Sequence, residues 1–497
     1  MLAKTSFRNL GESMNPVFIK EMRQYFQNRR MLLLMGALLL GEFVLTLFFS
    51  SAMSLNNEDT TSGVIFFLLI ICGGCILSVF ICSIGAEQRF AEERSDRELN
   101  YAMLTTLRPA SIIWGKLEGA LVMLLCIFSM LLPFLTAAYF MRGLSVASLL
   151  LTLYILPVLL LTTLAGIFAG TFGLKWLSIL YFIGLLNFGI GIVPVGFAIA
   201  EELIDGGALD LEFWVYLLVE YEAAFLVGAL FFLLSVAVIS PPKSNRMFWP
   251  KLYLFALPAL ALFMIAPFYI ILAGPDYPHE MFYVNEYLFC AFAIAVLAIM
   301  SLFEPPGGGI RINMKCPRKF IPRCIHFVFS SGFPGSITLA LPILLLPIVL
   351  MPLGHISGFG RYASCGILCM LSSFVGYVLL GLILSWRTRL APPPWLWVII
   401  FELVANIASW VPVSIEGNMR HMPDAYHVAM MVLSPTYCFV EIVDNPRRFS
   451  VLACIISLAA VAVLYLILFP AIVKAFKLHR YPEHAIKQPT AEMLKKP

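Results

Sequence analysis

Apolar residues fall into twelve long runs separated by short polar stretches. The runs cover 31–52, 63–85, 117–140, 146–170, 176–200 and 213–239, then 252–273, 286–303, 335–354, 362–385, 395–415 and 451–472. Each is long enough to cross a hydrocarbon core of about 30 Å at roughly 1.5 Å per residue. The pattern predicts an all-α integral membrane protein of about twelve transmembrane helices. The first run follows a charged segment and is too long for a cleavable signal sequence, so it is expected to remain as a span. Both halves have their longest inner loop after the second run (86–116 and 304–334) and their longest outer segment after the fifth (201–212 and 416–450). A six-plus-six pseudo-repeat is one reading of that layout and chance is the other.

Composition agrees with the runs: the 497 residues are 61% hydrophobic and 12% charged, against about 25% charged in soluble domains. The placement of Lys and Arg fixes the expected orientation. With the N-terminus in the cytoplasm, 28 of them fall on the inner side and five on the outer: Arg142, Arg361, Arg420, Arg447 and Arg448. Inner loops retain positive charge, so both termini are expected in the cytoplasm. The domain reading is a cytoplasmic interfacial segment 1–30, transmembrane halves 31–240 and 241–472, and a basic cytoplasmic tail 473–497. The expected location is the cell (inner) membrane.

Two cytoplasmic segments carry the most information. Asn15-Pro16 reads as the start of a helix, with Asn15 as N-cap and Pro16 at the first helical position. Phe18, Met22, Tyr25 and Phe26 then share a face, while Lys20, Arg23, Gln24 and Gln27 point away. This is an amphipathic interfacial helix, or else a simple basic anchor. After the second run, residues 86–98 alternate acids and bases without Pro or Gly, which suits a water-exposed helix with i to i+4 pairs such as Glu93 with Arg97. Apolar Leu99, Met103, Leu104 and Leu107 follow before Pro109. A charged helix with an apolar tip is suited to docking a cytoplasmic partner.

These residues carry a resemblance. Asn15, Pro16, Lys20, Glu21 and Arg23 before the first span are followed by Glu87, Glu93 and Arg94 in the loop. Leu104, Thr106, Pro109, Ile112, Ile113, Gly115 and Lys116 come after them. Together they resemble the type 2 ABC transporter permease family, best over residues 15–240. The resemblance implies a permease subunit that moves a substrate on ATP hydrolysed by a separate cytoplasmic ABC ATPase. The ATPase-coupling residues would be Glu87, Arg89, Glu93, Arg94, Arg97, Glu98, Leu104, Thr106 and Pro109. Phe18, Lys20, Glu21, Met22 and Arg23 would belong to the interfacial helix. ATP and Mg would be bound by the partner, since Gly170-Thr171-Phe172-Gly173-Leu174-Lys175 lacks the spacing of a phosphate-cradling loop. No cofactor, catalytic residue or nucleic-acid partner is expected in this chain. It would act either as a pseudo-dimer or with a second permease or accessory subunit.

Acidic residues inside apolar runs are costly and therefore candidates for function. Glu42, Glu220, Glu222, Glu402 and Asn406 lie in such runs; Glu42, Glu220, Glu402 and Asn406 form the candidate translocation path. Glu42, Glu220 and Glu402 also support the competing reading, an ion-coupled secondary transporter or a membrane-embedded enzyme; helix–helix hydrogen bonding is the structural alternative. Most of the eleven cysteines fall in apolar runs, where a thiol packs as a small hydrophobe. Cys72 and Cys75 form a C-x-x-C without a second pair or a histidine cluster, so no metal site is expected. Cys316 and Cys324 are expected to be reduced in the loop 304–334.

Overall fold

A computed structural model describes residues 15–55, 61–95, 107–140, 146–173, 211–241, 244–272, 279–304, 310–353, 359–387, 396–405 and 451–479, with short pieces near 180 and 430. Among these residues regular structure is helical throughout. The chain divides into two compact units, Met1–Ser240 and Pro241–Pro497.

The first unit begins with α1 (Pro16–Gln27) and α2 (Arg29–Leu55). Helix α3 (Thr61–Ser78) runs through a π-helical segment (Val79–Ile84) into α4 (Gly85–Ser95). Then come α5 (Pro109–Phe140), α6 (Val146–Gly170) and α7 (Leu211–Ile239). The second unit contains α8 (Phe248–Leu272), α9 (His279–Phe303), the short α10 (Ile310–Met314), α11 (Phe320–Phe329), α12 (Phe333–Leu353) and α13 (Phe359–Arg387). It ends with α14 (Leu396–Ala405) and α15 (Val451–Leu478).

Among the described residues six stretches are long and apolar enough to cross a membrane: Met31–Ser51, Ile65–Ser95, Pro109–Phe140, Tyr221–Ile239, Leu368–Ser385 and Ala453–Leu478. Helix α11 and the start of α12 make a seventh if counted as one span, although they meet at 98°. The protein is therefore multi-pass. The predicted run 176–200 and the second half of 395–415 lie largely outside the described residues, as do both termini. The apolar parts described in α6, α8, α9 and α14 are shorter than a full span.

Many large apolar side chains face outward, among them Leu33, Leu40, Phe48, Phe263 and Leu466. In water such a surface would be a severe liability, and in lipid it is the expected covering. The core of the first unit packs Met31 and Met35 of α2 against Leu77, Ile81 and Cys82. Met123, Leu124 and Ile127 of α5 and Leu159 of α6 complete it.

In the second unit the corner between α11 and α12 is held from two sides. The Lys251 ammonium is fully enclosed and donates to Glu304 Oε2 at 2.9 Å, to the Ser330 carbonyl at 2.6 Å and to the Gly332 carbonyl at 3.2 Å. Glu304 Oε2 also accepts the Gly332 N–H at 3.1 Å and the Ser336 hydroxyl at 2.8 Å. Asn245 Oδ1 accepts the Ser331 N–H at 2.9 Å. A chain that turns this sharply leaves backbone groups without helical partners, and these side chains supply them. The stretches 86–116 and 304–334 thus build different structures where they are described: 86–95 continues a span through the π-helical segment, whereas 304–334 holds α10, α11 and this corner.

Removing one partner of a buried pair leaves the other charged and unpaired, at a cost of about 3–5 kcal/mol. Lys251→Met should therefore lower the thermal midpoint in detergent sharply, and adding Glu304→Gln should recover part of the loss. Simple additivity of the two effects in a double-mutant cycle would show that the pair is not coupled.

Candidate functional site

Asn15 starts α1 as expected: its Oδ1 accepts the Val17 N–H at 3.1 Å, and Pro16 occupies the first helical position. Its amide Nδ2 donates to the Ser111 carbonyl of α5 at 2.7 Å. One side chain thus caps α1 and ties it to α5. Gly115 and Gly119 of α5 allow the approach, since a Cβ at Gly115 would lie 2.8 Å from Asn15 Nδ2 and 2.9 Å from the Phe18 backbone N. At Gly119 it would lie 3.0 Å from Glu21 Cβ.

The inward face of α1 differs from the expected apolar stripe. Glu21 and Tyr25 are buried, Phe18 and Met22 are half-buried, and Phe26 is 48% exposed. A carboxylate can take this place because cations meet it. Lys116 Nζ, itself buried, donates to Glu21 Oε1 and lies 2.9 Å from Glu93 Oε2. Glu93 Oε1 accepts from Lys20 Nζ at 2.8 Å. Arg89 lies 4.0 Å from Glu21 Oε2, and its guanidinium carbon sits 3.6 Å above the centre of the Tyr25 ring. Lys116 also lies 4.8 Å from the centre of the Phe90 ring. Burial pushes the Tyr25 phenol far above its ordinary value, with Arg89 opposing, so it stays neutral beneath the guanidinium.

Of the loop residues read as a docking helix, those described are turned partly into the protein: Glu87 is buried and Arg89 and Glu93 are half-buried, while Glu92 and Arg94 are exposed. Glu93 pairs with Lys20 and Lys116 of other helices; Arg97, its expected partner, lies outside the described residues. Glu87 is buried and accepts a hydrogen bond from Ser178. Arg94 donates to the Thr171 carbonyl at the end of α6. There Gly173 adopts φ +61°, a conformation suited to glycine, with the Arg94 side chain packed over it. Alternating charge reads the same for an exposed helix as for one laid across other helices. Burial then demands pairing, and α1 and α5 supply the partners.

Helix α6 fits against this assembly through two glycines. A Cβ at Gly166 would meet the Ser83 carbonyl at 2.5 Å, and one at Gly170 the Glu87 carbonyl at 2.6 Å. Ser83 lies in the π-helical segment, and its hydroxyl is 2.9 Å from that of Thr162. Nothing in the sequence announced the π turn.

The remaining candidates are dispersed. Pro109 occupies the first position of α5, and Arg23 is exposed on α1. Glu98, Leu104, Thr106 and Asn406 lie outside the described residues, as does the side chain of Glu220. Glu42 is buried in α2 with its Oε1 beside Gly73, where an added Cβ would lie 2.9 Å away, and its Oε2 has no hydrogen-bond partner. Glu402 is half-buried in α14.

Sequence reading missed a second cluster. Cys316, His326 and His479 of the second unit place their ligand-type atoms within 4.8 Å of one another. They are too far apart in the chain to form a recognisable motif. Comparison with protein-family models, with curated proteins and with solved structures returns no match.

Gly115→Val should dislodge α1, because the new side chain collides with the α1 backbone. Amide hydrogen exchange over 16–27 should rise in that variant and stay unchanged in Gly36→Ala, where an added Cβ meets nothing within 4 Å. Lys116→Met should cost about 3–5 kcal/mol by leaving buried carboxylates facing each other, with partial recovery on adding Glu21→Gln. Thermal unfolding of the single and double variants measures both effects.

Proposed function

We propose that this chain is the membrane-spanning permease subunit of an ABC transporter. It has twelve spans and cytoplasmic ends in the cell (inner) membrane, and it moves its substrate on ATP hydrolysed by a separate cytoplasmic ATPase. The observation that carries the reading is the paired-charge assembly at α1. Glu21 and Lys20 are joined to Lys116 at the head of α5 and to Glu93 and Arg89 on α4, which continues α3. A force applied to α1 therefore reaches two apolar, span-length helices directly. The resemblance over residues 15–240 supplies the identity of the motor.

In this reading the roles divide. Exposed Lys20, Arg23, Gln24 and Gln27 of α1, with the stretch 96–108, meet the ATPase. Glu21, Glu87, Arg89, Glu93, Arg94 and Lys116 bind the helices to one another and transmit the movement. The outward face of α1 carries positive charge, which suits an acidic patch on the partner.

The test is reconstitution with candidate ABC ATPase subunits co-expressed with this chain. The two should co-purify, and the chain should change the ATPase rate. Arg23→Glu should weaken association about tenfold, or roughly 1.4 kcal/mol, with an unchanged thermal midpoint. The competing ion-coupled reading rests on Glu42, buried with one carboxyl oxygen unpartnered. Transport that survives ATP depletion and is abolished by Glu42→Gln would replace the permease reading with that one.

A further inference from the structure

Three segments of the second unit converge at one end of α15. Cys316 follows the turn after α10, where its N–H donates to the Asn313 carbonyl at 3.1 Å. His326 lies on α11, and His479 comes one residue after α15. Cys316 and His479 are buried, and His326 is half-buried. His326 Nδ1 and His479 Nε2 face each other at 2.9 Å, and the Cys316 Sγ completes a triangle with no side longer than 4.8 Å.

We propose that Cys316, His326 and His479 form a binding site for a Zn²⁺ ion that clasps the end of α15 to α11 and to the segment after α10. A tetrahedral ion with Zn–N bonds of about 2.0–2.1 Å and a Zn–S bond of about 2.3 Å sets its ligand atoms roughly 3.3–3.6 Å apart. The two imidazoles need to part by a few tenths of an ångström and the thiol to swing inward. One thiolate and two imidazoles are ligands of the borderline-soft kind that zinc favours.

The surroundings are prepared for such an ion. Arg323 Nε donates to the His479 carbonyl at 2.8 Å and Arg323 Nη2 to the Phe476 carbonyl at 2.7 Å, which fixes the backbone that carries His479. The Phe327 ring packs edge-on against His479 with centroids 5.4 Å apart, restricting its orientation. Beside His479 lies a cavity of about 140 Å³, lined also by Asn313, Ser330 and Ser331. The Asn313 Oδ1 is buried and has no hydrogen-bond partner. Three protein ligands leave a fourth position on zinc, and this polar cavity has room for a water molecule to fill it. The Arg323 cation adds positive charge near a dication, and the Cys316 thiolate offsets part of it.

The experiment uses the full chain in detergent, stripped with a chelator, re-equilibrated with Zn²⁺ and freed of excess metal. Elemental analysis should find about one zinc per chain. Competition with a chromophoric chelator should show affinity reduced at least about tenfold in Cys316→Ser and in His479→Asn. With Co²⁺ in place of zinc, the thiolate-to-metal charge-transfer band should appear in the parent chain and vanish in Cys316→Ser. Zinc should also raise the thermal midpoint of the parent and not of the variants. Cys316→Ser is nearly isosteric, so a monodisperse elution profile and an unchanged helical spectrum establish that it is folded. No retained zinc in the folded parent would overturn the site, leaving His326 and His479 as a simple hydrogen-bonded pair. Equal zinc affinity in parent and folded variants would overturn it as well. None of these measurements involves the ATPase, so the site stands or falls separately from the transport reading.

Discussion

Lys116 is the point on which the charged end of the first unit, where α1, α4 and α5 meet, depends. Its ammonium is almost wholly shielded from water and lies between the carboxylates of Glu21 and Glu93. A charge in that position is strongly unfavourable unless it is paired, and the pairing must come from the helices that exclude the water. Glu21 brings α1 and Glu93 brings α4, while Lys116 belongs to α5. The position of the amphipathic helix is thus set by charge, and its apolar contacts follow. Tyr25 reaches the core of the unit as part of that arrangement, with Arg89 stacked over its ring.

The same constraint appears in the second unit in another form. Lys251 is enclosed at the start of α8, and Glu304 lies just beyond α9. Between them they hold the backbone where the chain turns from α11 into α12. Here the ion pair answers unsatisfied peptide groups, whereas around Lys116 it joins side chains of separate helices. Both arrangements combine Lys with Glu where the chain leaves its apolar runs. Ionisable groups at such depth are tolerated only with partners, and each pair fixes the geometry of whatever carries it.

Much of this was legible in the sequence, and the part that was not has a physical cause. Apolar runs announce helices because lipid requires every backbone group to be bonded within its own segment; the helices α2, α3, α5, α7, α13 and α15 follow them closely. Asn15-Pro16 announced the start of α1 through local capping chemistry. What could not be read was which charges would meet. Lys20 and Glu93 are 73 residues apart, and Glu21 and Lys116 are 95 apart; no spacing rule reaches so far. Local rules instead suggested an apolar face that included Phe26, which is exposed. The cluster of Cys316, His326 and His479 stayed hidden for the same reason. So did the π turn, because its residues Val79–Ile84 are as apolar as the helix before them.

That π turn bears on how movement at the charged assembly would travel. Helix α3, the π segment and α4 are continuous from Thr61 to Ser95, so Glu93 and the buried Phe66 belong to one rod. A stiff rod carries displacement along its length, and a π segment is the place where it yields, because one turn is wound with an extra residue. The segment is held sideways by Ser83 against Thr162 and by the close approach of Gly166. A pull on α4 through Lys116 and Lys20 would load the contacts of Arg94 with Thr171 and of Glu87 with Ser178 and, beyond them, Ser83. If α4 moves relative to α3, tightening or relaxing the π turn is the least costly way for it to do so, since the rest of the rod would have to break regular hydrogen bonds. On the permease reading, the yielding point of the lever is set by Ser83, Thr162 and Gly166, well inside the charged end that receives the force.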